Sequence, residues 1–192
     1  MKAAVFLDRD GVLVEDLGLL TRPEELRVLP GVPAALSRLK QAGFALVVIT
    51  NQPVVARGLA KETDVQAVHR SLETSLLAAG APRLDAWHYC PHHPKAEVLA
   101  YRVICECRKP RPGMLRQAAH DLGLDLAASF MVGDRITDVA AGASAGCRTV
   151  LVETGKHTAA PITLVEPLDP NLAPNHVCAD LTAATDWILA QR

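Results

Sequence analysis

Short apolar runs alternate with longer amphipathic stretches along most of the chain. The runs end at polar residues and predict five β-strands, which lie at 5–7, 44–49, 86–89, 129–132 and 149–152. Apolar residues at helical spacing predict five helices, over 32–42, 61–79, 112–122, 136–145 and 180–189. Strands that alternate with helices predict an α/β protein with a parallel sheet and right-handed crossovers.

Polar residues follow three of the predicted strands. The first strand ends at Asp8 and Asp10, the second at Thr50 and Asn51, and a later one leads into Asp134, with Asp138 just beyond. In a short extended segment alternate side chains point the same way, so Asp8 and Asp10 can converge on one site. Ligands of such sheets bind outside the carboxyl ends of the strands, so all these groups are expected in one crevice. An acidic strand end that feeds a turn is the alternative for Asp8 and Asp10 alone.

The chemistry of these residues indicates phosphoryl transfer. Asp8, Asp10 and Asp134 would repel one another unless a hard cation such as Mg²⁺ lay between them. Lys109 could neutralise a phosphate or a nucleophilic carboxylate, and Thr50 could donate a hydrogen bond to phosphate. One aspartate would attack phosphorus, and a second would manage the proton of the leaving alcohol and later of water.

A second cluster indicates a metal site of another kind. Cys90, His92, Cys105 and Cys107 form two pairs of residues two apart, which can close a tetrahedral zinc site, although His93 is an alternative ligand. Cysteines buried as small hydrophobic residues are the alternative interpretation. A site closed by four ligands would be structural. Cys147 and Cys178 lie away from the cluster and are expected to be ordinary core residues.

Composition limits the remaining possibilities. The chain has 192 residues and a net charge of −1, so we expect one domain without a field that attracts nucleic acid or anionic membranes. No apolar run approaches the roughly 20 residues that span a bilayer, and no signal peptide precedes the first strand. We therefore expect a cytoplasmic protein, and separately we expect a monomer. Four prolines between 161 and 174 predict a loop in the tail.

With these residues assembled, the chain resembles the phosphatases of the haloacid dehalogenase superfamily. The match lies at 8–11 (Asp-Arg-Asp-Gly), at Thr50-Asn51, at Lys109 and at 133–138 (Gly-Asp-Arg-Ile-Thr-Asp). The chain is more closely similar to the branch of heptose bisphosphate and histidinol-phosphate phosphatases, through 50–58, 90–94 and 105–114. This similarity extends from about residue 3 to about residue 155.

The resemblance implies a role for each matching residue. Asp8 would be the nucleophile that forms an aspartyl-phosphate, Asp10 the general acid and base, and Thr50 and Lys109 ligands of the transferring phosphate. Mg²⁺ would be bound by the Asp8 carboxylate, the Asp10 backbone carbonyl and Asp134, with Asp138 behind them. Structural Zn²⁺ would be bound by Cys90, His92, Cys105 and Cys107. The expected substrate contacts are Asp16, Leu17, Gly18, Leu19, Asn51, Gln52, Pro53, Arg57, Arg108 and Arg135.

The implied fold is a Rossmann-like parallel sheet flanked by helices, without a large cap domain and with a zinc-stabilised loop at about 90–107. It would form one domain over 1–192, whose tail from about 156 has no assigned role. The chain departs from the family at Pro53-Val54, where serine and glycine are common, and this leaves the substrate less defined than the reaction.

The expected reaction is removal of the 7-phosphate from a heptose 1,7-bisphosphate. A bisphosphate needs a second anion site, for which Arg57, Arg108 and Arg135 are available. Histidinol phosphate is the nearest alternative substrate, and it would need an acidic partner for its amine. A polynucleotide 3′-phosphatase or a catalytically silent zinc-stabilised module are more remote alternatives.

Overall fold

The computed structural model describes residues 2–156 and 167–191 and contains one parallel sheet with helices on both faces. The strands are β1 (Ala4–Leu7), β2 (Ala45–Asn51), β3 (Ala86–Cys90), β4 (Phe130–Gly133), β5 (Arg148–Val152) and β6 (His176–Cys178). The helices are α1 (Val32–Gln41), α2 (Glu62–Ala78), α3 (Gly113–Leu122), α4 (Ile136–Ala145) and α5 (Leu181–Leu189). Single-turn 3-10 helices lie at Pro23–Glu25 and Leu99–Tyr101.

The six strands follow the order β3-β2-β1-β4-β5-β6, and every pairing is parallel. The chain first builds outward from β1 through β2 to β3, then returns to place β4 on the other side of β1. The order therefore reverses between β1 and β4. In open α/β sheets this switch point is where a crevice forms outside the carboxyl ends of the strands.

Alternate residues of β1 face two separate cores. Val5 and Leu7 pack with residues of α1 and α5, whereas Ala4 and Phe6 pack against α3 and the α4 side of the sheet. Because both faces are covered, β1 is apolar at every position, as expected for an internal parallel strand. Because β1 is buried on both faces, the point at which the chain leaves the sheet after Leu7 is fixed. The positions of the residues that follow Leu7 are fixed with it.

The predicted α/β fold and its five strands and five helices are confirmed, with ends that differ by at most two residues. Strand β6 was not predicted, since three residues are too short to show an apolar pattern. Residues 167–174 form no helix or strand, as expected, while 157–166 of the tail lie outside the described residues. In the described part of the chain, no helix is both long enough and apolar enough to cross a membrane.

Candidate active site and metal centres

The first part of the site is built where the chain leaves β1. The Asp8 amide donates to the carbonyl of Val132 at 3.0 Å, so Asp8 extends the ladder between β1 and β4. Gly11 then turns the chain, with a φ of +78° and an amide that donates to Val14. A Cβ atom on Gly11 would lie 2.6 Å from the carboxyl carbon of Asp134. Glycine is therefore needed here both for the turn and for close approach to the carboxyl group.

Three buried carboxylates meet at the switch point. Asp8, Asp134 and Asp138 each offer an oxygen atom, and these atoms lie within 4.8 Å of one another. Burial, with the nearby charges of Asp8 and Asp138, raises the pKa of Asp134 to about 7. Burial likewise raises the pKa of Asp138 to about 6, although Lys109 opposes the shift. Uncompensated negative charge is therefore concentrated at this point.

A divalent cation fits this group of carboxylates. The Oδ2 atom of Asp134 accepts a hydrogen bond from the Lys156 amide at 2.7 Å. Its Oδ1 atom is buried and has no hydrogen-bond partner among the described residues. A buried, unpartnered carboxylate oxygen beside two further carboxylates is the donor set that Mg²⁺ prefers.

Lys109 supplies the positive charge of the site. Its buried ammonium lies 3.0 Å from Asp8 Oδ1 and 2.7 Å from Asp138 Oδ1, and it donates to the carbonyl of Ile49 at 2.8 Å. Burial opposes this charge, but Asp138 and Asp8 outweigh that effect and raise the pKa of Lys109. The lysine therefore stays charged next to Asp8, and it also engages Asp138.

The side chain of Asn51 docks the lysine segment against β2. Its amide nitrogen donates to the carbonyl of Lys109 at 3.0 Å, and its oxygen accepts from the Lys109 amide at the same distance. Asn51 also lines the crevice. The predicted substrate contact is thus a residue that fixes the backbone of Lys109.

Asp10 lies in a different environment from Asp8. The buried Arg9 guanidinium donates to both Asp10 carboxylate oxygens at 2.8–3.1 Å. Gln52 donates to Asp10 Oδ2 and to Thr50 Oγ1, both at 2.9 Å, and accepts from Arg9 at 2.9 Å. Burial raises the pKa of Asp10, although the charge of Arg9 opposes it. Asp10 and Thr50 are therefore held by one shared network.

The floor of a crevice of about 270 Å³ is lined by Asp8, Asp10, Asp138, Lys109 and Thr50, and Asp134 lies directly behind it, against Asp8 and Asp138. The predicted substrate contacts that line it are Asp16, Gly18, Leu19, Asn51, Gln52, Pro53, Arg57, Arg108 and Arg135. Leu17 does not line it, because the Gly18 amide donates to Asp16 Oδ1 in a tight turn and Leu17 points outward, 61% exposed. Lining residues that the sequence did not single out as crevice contacts are Val54, His93, Ile136, Thr137 and Lys156.

The rim of the crevice carries an ion-pair cluster around Asp16. Lys156 Nζ lies 2.7 Å from Asp16 Oδ1, and Arg135 Nη2 lies 3.1 Å from Asp16 Oδ2. Burial opposes the negative charge, but the hydrogen bonds from Lys156 and Gly18 outweigh it and lower the pKa of Asp16. Lys156 follows β5 in the sequence Thr-Gly-Lys. Nothing in this sequence indicated that Lys156 would lie at the crevice.

Four metal-binding side chains converge beside the crevice. The sulfur atoms of Cys90, Cys105 and Cys107 lie 3.1–3.5 Å apart, and His92 Nδ1 lies 3.5 Å from Cys107 and 3.8 Å from Cys90. His93 is directed elsewhere, since its Nδ1 accepts a hydrogen bond from the Lys95 amide at 3.1 Å. A Cys₃His set of this kind fits zinc with no position left open for chemistry.

The metal-binding loop is joined directly to the crevice. Arg108 and Lys109 follow Cys107 in the chain, and Arg108 donates to the backbone carbonyl of His92 at 3.0 Å. The loop thus fixes two cations that line the crevice. Cys147 and Cys178 lie outside the cluster and form no disulfide.

A Rossmann-like parallel sheet, with buried carboxylates and a lysine at its switch point, defines a haloacid dehalogenase-like hydrolase. The family model for HAD-hydrolase-like proteins matches residues 106–184. Two curated relatives are the D-glycero-beta-D-manno-heptose-1,7-bisphosphate 7-phosphatases of Yersinia pestis (41% identical) and Escherichia coli K12 (44% identical). Each alignment covers 97% of this chain, with 89% of the first relative and 87% of the second.

A solved structure shares the whole architecture. The D,D-heptose 1,7-bisphosphate phosphatase of B. bronchiseptica, complexed with magnesium and phosphate, is 37% identical and has a TM-score of 0.81 over 100% of both chains. The corresponding phosphatase of Burkholderia thailandensis is 31% identical, with a TM-score of 0.67 over 98% of this chain and 99% of that one. The chain belongs to the heptose-1,7-bisphosphate 7-phosphatase family of haloacid dehalogenase-like hydrolases.

Proposed function

We propose that this protein hydrolyses the 7-phosphate of D-glycero-β-D-manno-heptose 1,7-bisphosphate and leaves the 1-phosphate in place. The observation that carries the proposal is that relatives with this named activity align with 97% of the chain at 41–44% identity. The site supports it, since Asp8, Asp10, Thr50 and Lys109 all line one crevice.

In the first step, an Asp8 carboxylate oxygen attacks the 7-phosphorus, and the bond between phosphorus and the sugar oxygen breaks. Lys109, 3.0 Å from Asp8, and the Thr50 hydroxyl would bind the phosphate oxygens as the new bond forms. The proton of Asp10 passes to the leaving sugar oxygen, and burial, which raises the pKa of Asp10, favours the protonated acid needed for this step. The products are an aspartyl-phosphate and the free 7-hydroxyl.

In the second step, the Asp10 carboxylate accepts a proton from water, whose oxygen attacks the phosphorus of the aspartyl-phosphate. The bond between phosphorus and Asp8 breaks, so that Asp8 is restored and inorganic phosphate leaves. Arg9 and Gln52 hold Asp10 in both steps through the same hydrogen bonds.

Asp8, Asp134 and the Asp10 backbone carbonyl would hold Mg²⁺, which supplies charge neutralisation between the nucleophile and the phosphate. Asp138 would support the metal ligands without binding the metal itself, because its oxygen atoms already contact Lys109 at 2.7 Å and the Arg135 amide at 3.0 Å. Cys90, His92, Cys105 and Cys107 would hold Zn²⁺, which stabilises the loop and takes no part in the reaction.

The charges around the crevice favour a bisphosphate over histidinol phosphate. Arg57 and Arg108 line the wall and can bind a second phosphate. The amine of histidinol would need an unpaired carboxylate. In the described part of the chain, Asp16 is the carboxylate that lines the rim, and it is already paired with Lys156 and Arg135. A polynucleotide end is disfavoured by the net charge of −1.

The proposal is tested by comparing kcat/KM on heptose bisphosphate, histidinol phosphate and a 3′-phosphorylated oligonucleotide. We expect heptose bisphosphate to be preferred by at least ten-fold, about 1.4 kcal/mol in transition-state binding. A histidinol phosphate value ten-fold above the heptose value would reverse the choice of substrate. Phosphate release predominantly from the oligonucleotide would contradict both.

The setting of the enzyme also belongs to the proposal. We infer a cytoplasmic monomer with a small sugar phosphate as its partner and with no nucleic-acid or membrane partner. The net charge of −1 supports the expected absence of a nucleic-acid or membrane partner. Analytical ultracentrifugation at micromolar concentration should give the mass of a single chain, and a dimer would contradict the inferred monomer.

A further inference from the structure

The segment that follows β5 closes the crevice on the side of Asp134. The Thr154 hydroxyl donates to the carbonyl of Gly11, which ties this segment to the turn after β1. Gly155 passes so close to Asp134 that a Cβ atom there would overlap the carboxylate. The Lys156 amide then donates to Asp134 Oδ2 at 2.7 Å. The backbone of Lys156 is thus fixed beside a candidate magnesium ligand.

The side chain of Lys156 points to another part of the site. Its ammonium contacts Asp16 Oδ1 at 2.7 Å, across the rim of the crevice. The Asp16 side chain is 6% exposed and that of Lys156 is 38% exposed. Removal of the lysine would therefore leave a largely buried carboxylate with only Arg135 as its cationic partner.

The loop that carries Asp16 has few other attachments. Residues 15–20 form no helix or strand, and Leu17 and Leu19 are 61% and 36% exposed. The Glu15 amide donates to Arg27 before the loop, and Leu20 is buried after it. Between these two anchors, Asp16 is the residue whose side chain binds other elements in the described structure. The position of Gly18 and Leu19 at the crevice thus depends on Asp16.

We propose that Lys156 is a positioning residue for substrate recognition, whose ammonium holds Asp16 and so fixes the loop 16–19 at the rim of the crevice. The inference rests on the proposed function, because it is expressed in the binding of the sugar bisphosphate. The reacting groups lie on the floor and keep their own contacts, and the Lys156 amide that meets Asp134 remains in any side-chain variant. Loss of the side chain should therefore act on KM far more than on kcat.

The test measures kcat and KM on heptose bisphosphate for Lys156→Met, Asp16→Asn and the double variant. We expect the KM of Lys156→Met to rise about five-fold, the upper end of the range for an ion pair with one partly exposed partner, with kcat within about two-fold. The double variant should be no worse than Asp16→Asn alone, since the lysine acts through the aspartate. Loss of activity on p-nitrophenyl phosphate, which has no sugar, should be smaller than loss on heptose bisphosphate.

Amide hydrogen exchange provides a readout that does not depend on activity. Exchange of the amides of residues 15–20 should become faster in Lys156→Met. Lys40→Met is the matched control, because Lys40 forms an ion pair of the same length, 2.7 Å, with Asp85 away from the crevice. The control should leave both KM and the exchange of 15–20 unchanged.

Two results would overturn the inference. An unchanged KM with unchanged exchange of 15–20 would show that the loop holds its position without Lys156. Effects of the two substitutions that multiply in the double variant would show that Lys156 binds substrate directly. Failure of the proposed function has a separate sign, namely no turnover of heptose bisphosphate by the wild-type enzyme, and hydrogen exchange would then still decide the role of Lys156.

Discussion

Asp8 and Asp10 are separated by one residue, yet their carboxyl groups meet different partners. Asp8 lies 3.0 Å from the ammonium of Lys109, whereas Asp10 is held by Arg9 and Gln52. The Lys109 ammonium can neutralise charge on Asp8 and on a phosphate that Asp8 attacks. A partly buried carboxyl with a raised pKa can deliver a proton. The difference in surroundings is thus sufficient to give two neighbouring aspartates different tasks.

Substitution of Asp8 by asparagine should abolish turnover, with kcat reduced by at least about a thousand-fold. The amide cannot form the aspartyl-phosphate, but it has nearly the same shape, so the fold should survive. Phosphate release measures the activity, while circular dichroism and zinc content measure the integrity of the protein. Retained turnover in this variant would exclude the covalent mechanism.

Gly155 is a second residue whose identity is dictated by the metal site. In Gly155→Ala the methyl group would overlap Asp134 Oδ2 and displace the candidate magnesium ligand. We expect Mg²⁺ affinity, measured by isothermal titration, to fall about ten-fold or more, as for other disturbed metal-ligand supports.

Gly80→Ala separates this effect from a general loss of stability. Gly80 has a φ of +85° but no atom within 4 Å of a Cβ, so alanine there should cost about 1 kcal/mol of stability without touching the crevice. Equal Mg²⁺ affinity in the two alanine variants would contradict the steric argument for Gly155.

The sequence predicted the residues on the floor of the crevice and Lys109 as the cation for a nucleophilic carboxylate, but not the ion pairs on the rim. Asp8, Thr50 and Asp134 could be found because they follow apolar strands, whose carboxyl ends share one edge. Lys156 could not be found, because its link to Asp16 joins residues 140 positions apart and follows no pattern. Leu17 lies in a turn closed by the hydrogen bond from the Gly18 amide to Asp16 and is 61% exposed, and the sequence alone does not reveal this turn.

At the scale of elements, the loop between β3 and α3 has little apolar packing of its own. Leu99 is 73% exposed and Ile104 is 57% exposed, so the loop gains little from burial of its larger side chains. Its metal cluster, in contrast, begins at the last residue of β3 and ends at Cys107, directly before the cations of the crevice. A metal would therefore give this segment the stability that packing does not.

Cys107→Ser should remove zinc and lower the melting temperature, because a site left with three ligands binds the metal much more weakly. Activity should fall as a consequence, since Arg108 and Lys109 follow Cys107 directly. Elemental analysis of zinc and differential scanning calorimetry measure the two effects. Cys178→Ser is the control, as Cys178 lies outside the cluster, and it should retain one zinc per chain. Full zinc content in Cys107→Ser would contradict the proposed ligand set.

Helices and strands were easier to predict from the sequence when their pattern of apolar residues was longer. Helix α2, with 17 residues, shows several turns of apolar spacing, and its predicted bounds differ by one residue at each end. Strand β6 has only His176, Val177 and Cys178, of which Val177 is 48% exposed. Its pairing with β5 is decided by the completed sheet, so no local signal could have revealed it.

At the scale of the whole molecule, the switch point carries a charge that the protein alone does not balance. When ionised, Asp8, Asp134 and Asp138 bring three negative charges, and Lys109 brings one positive charge. The remaining two negative charges equal the charge of one Mg²⁺ ion. The protein is therefore expected to take up protons at this point when no metal is bound, because burial, together with the charges of Asp8 and Asp138, raises the pKa of Asp134.

The stability of the metal-free protein should consequently fall as pH rises. The pKa values of Asp138 and Asp134 are raised from 3.8 to about 6 and about 7, so between these limits the folded protein binds protons that the unfolded chain has lost. Stability from this source is complete below about pH 4 and is lost as the pH rises through 6 and 7. Thermal unfolding in the presence of a chelator, measured at steps between pH 5 and pH 8, should show this decline.

Magnesium should reverse the trend, because it binds the ionised carboxylates and competes with protons for them. The rise in melting temperature with 10 mM Mg²⁺, a concentration chosen for the assay, should be larger at pH 8 than at pH 5.5, since stabilisation grows with affinity for the folded state. Asp134→Asn provides the control: it removes one of the two titrating groups and a magnesium ligand, so both the pH dependence and the magnesium effect should shrink. An equal magnesium shift at both pH values would show that the proton and the metal do not share this site.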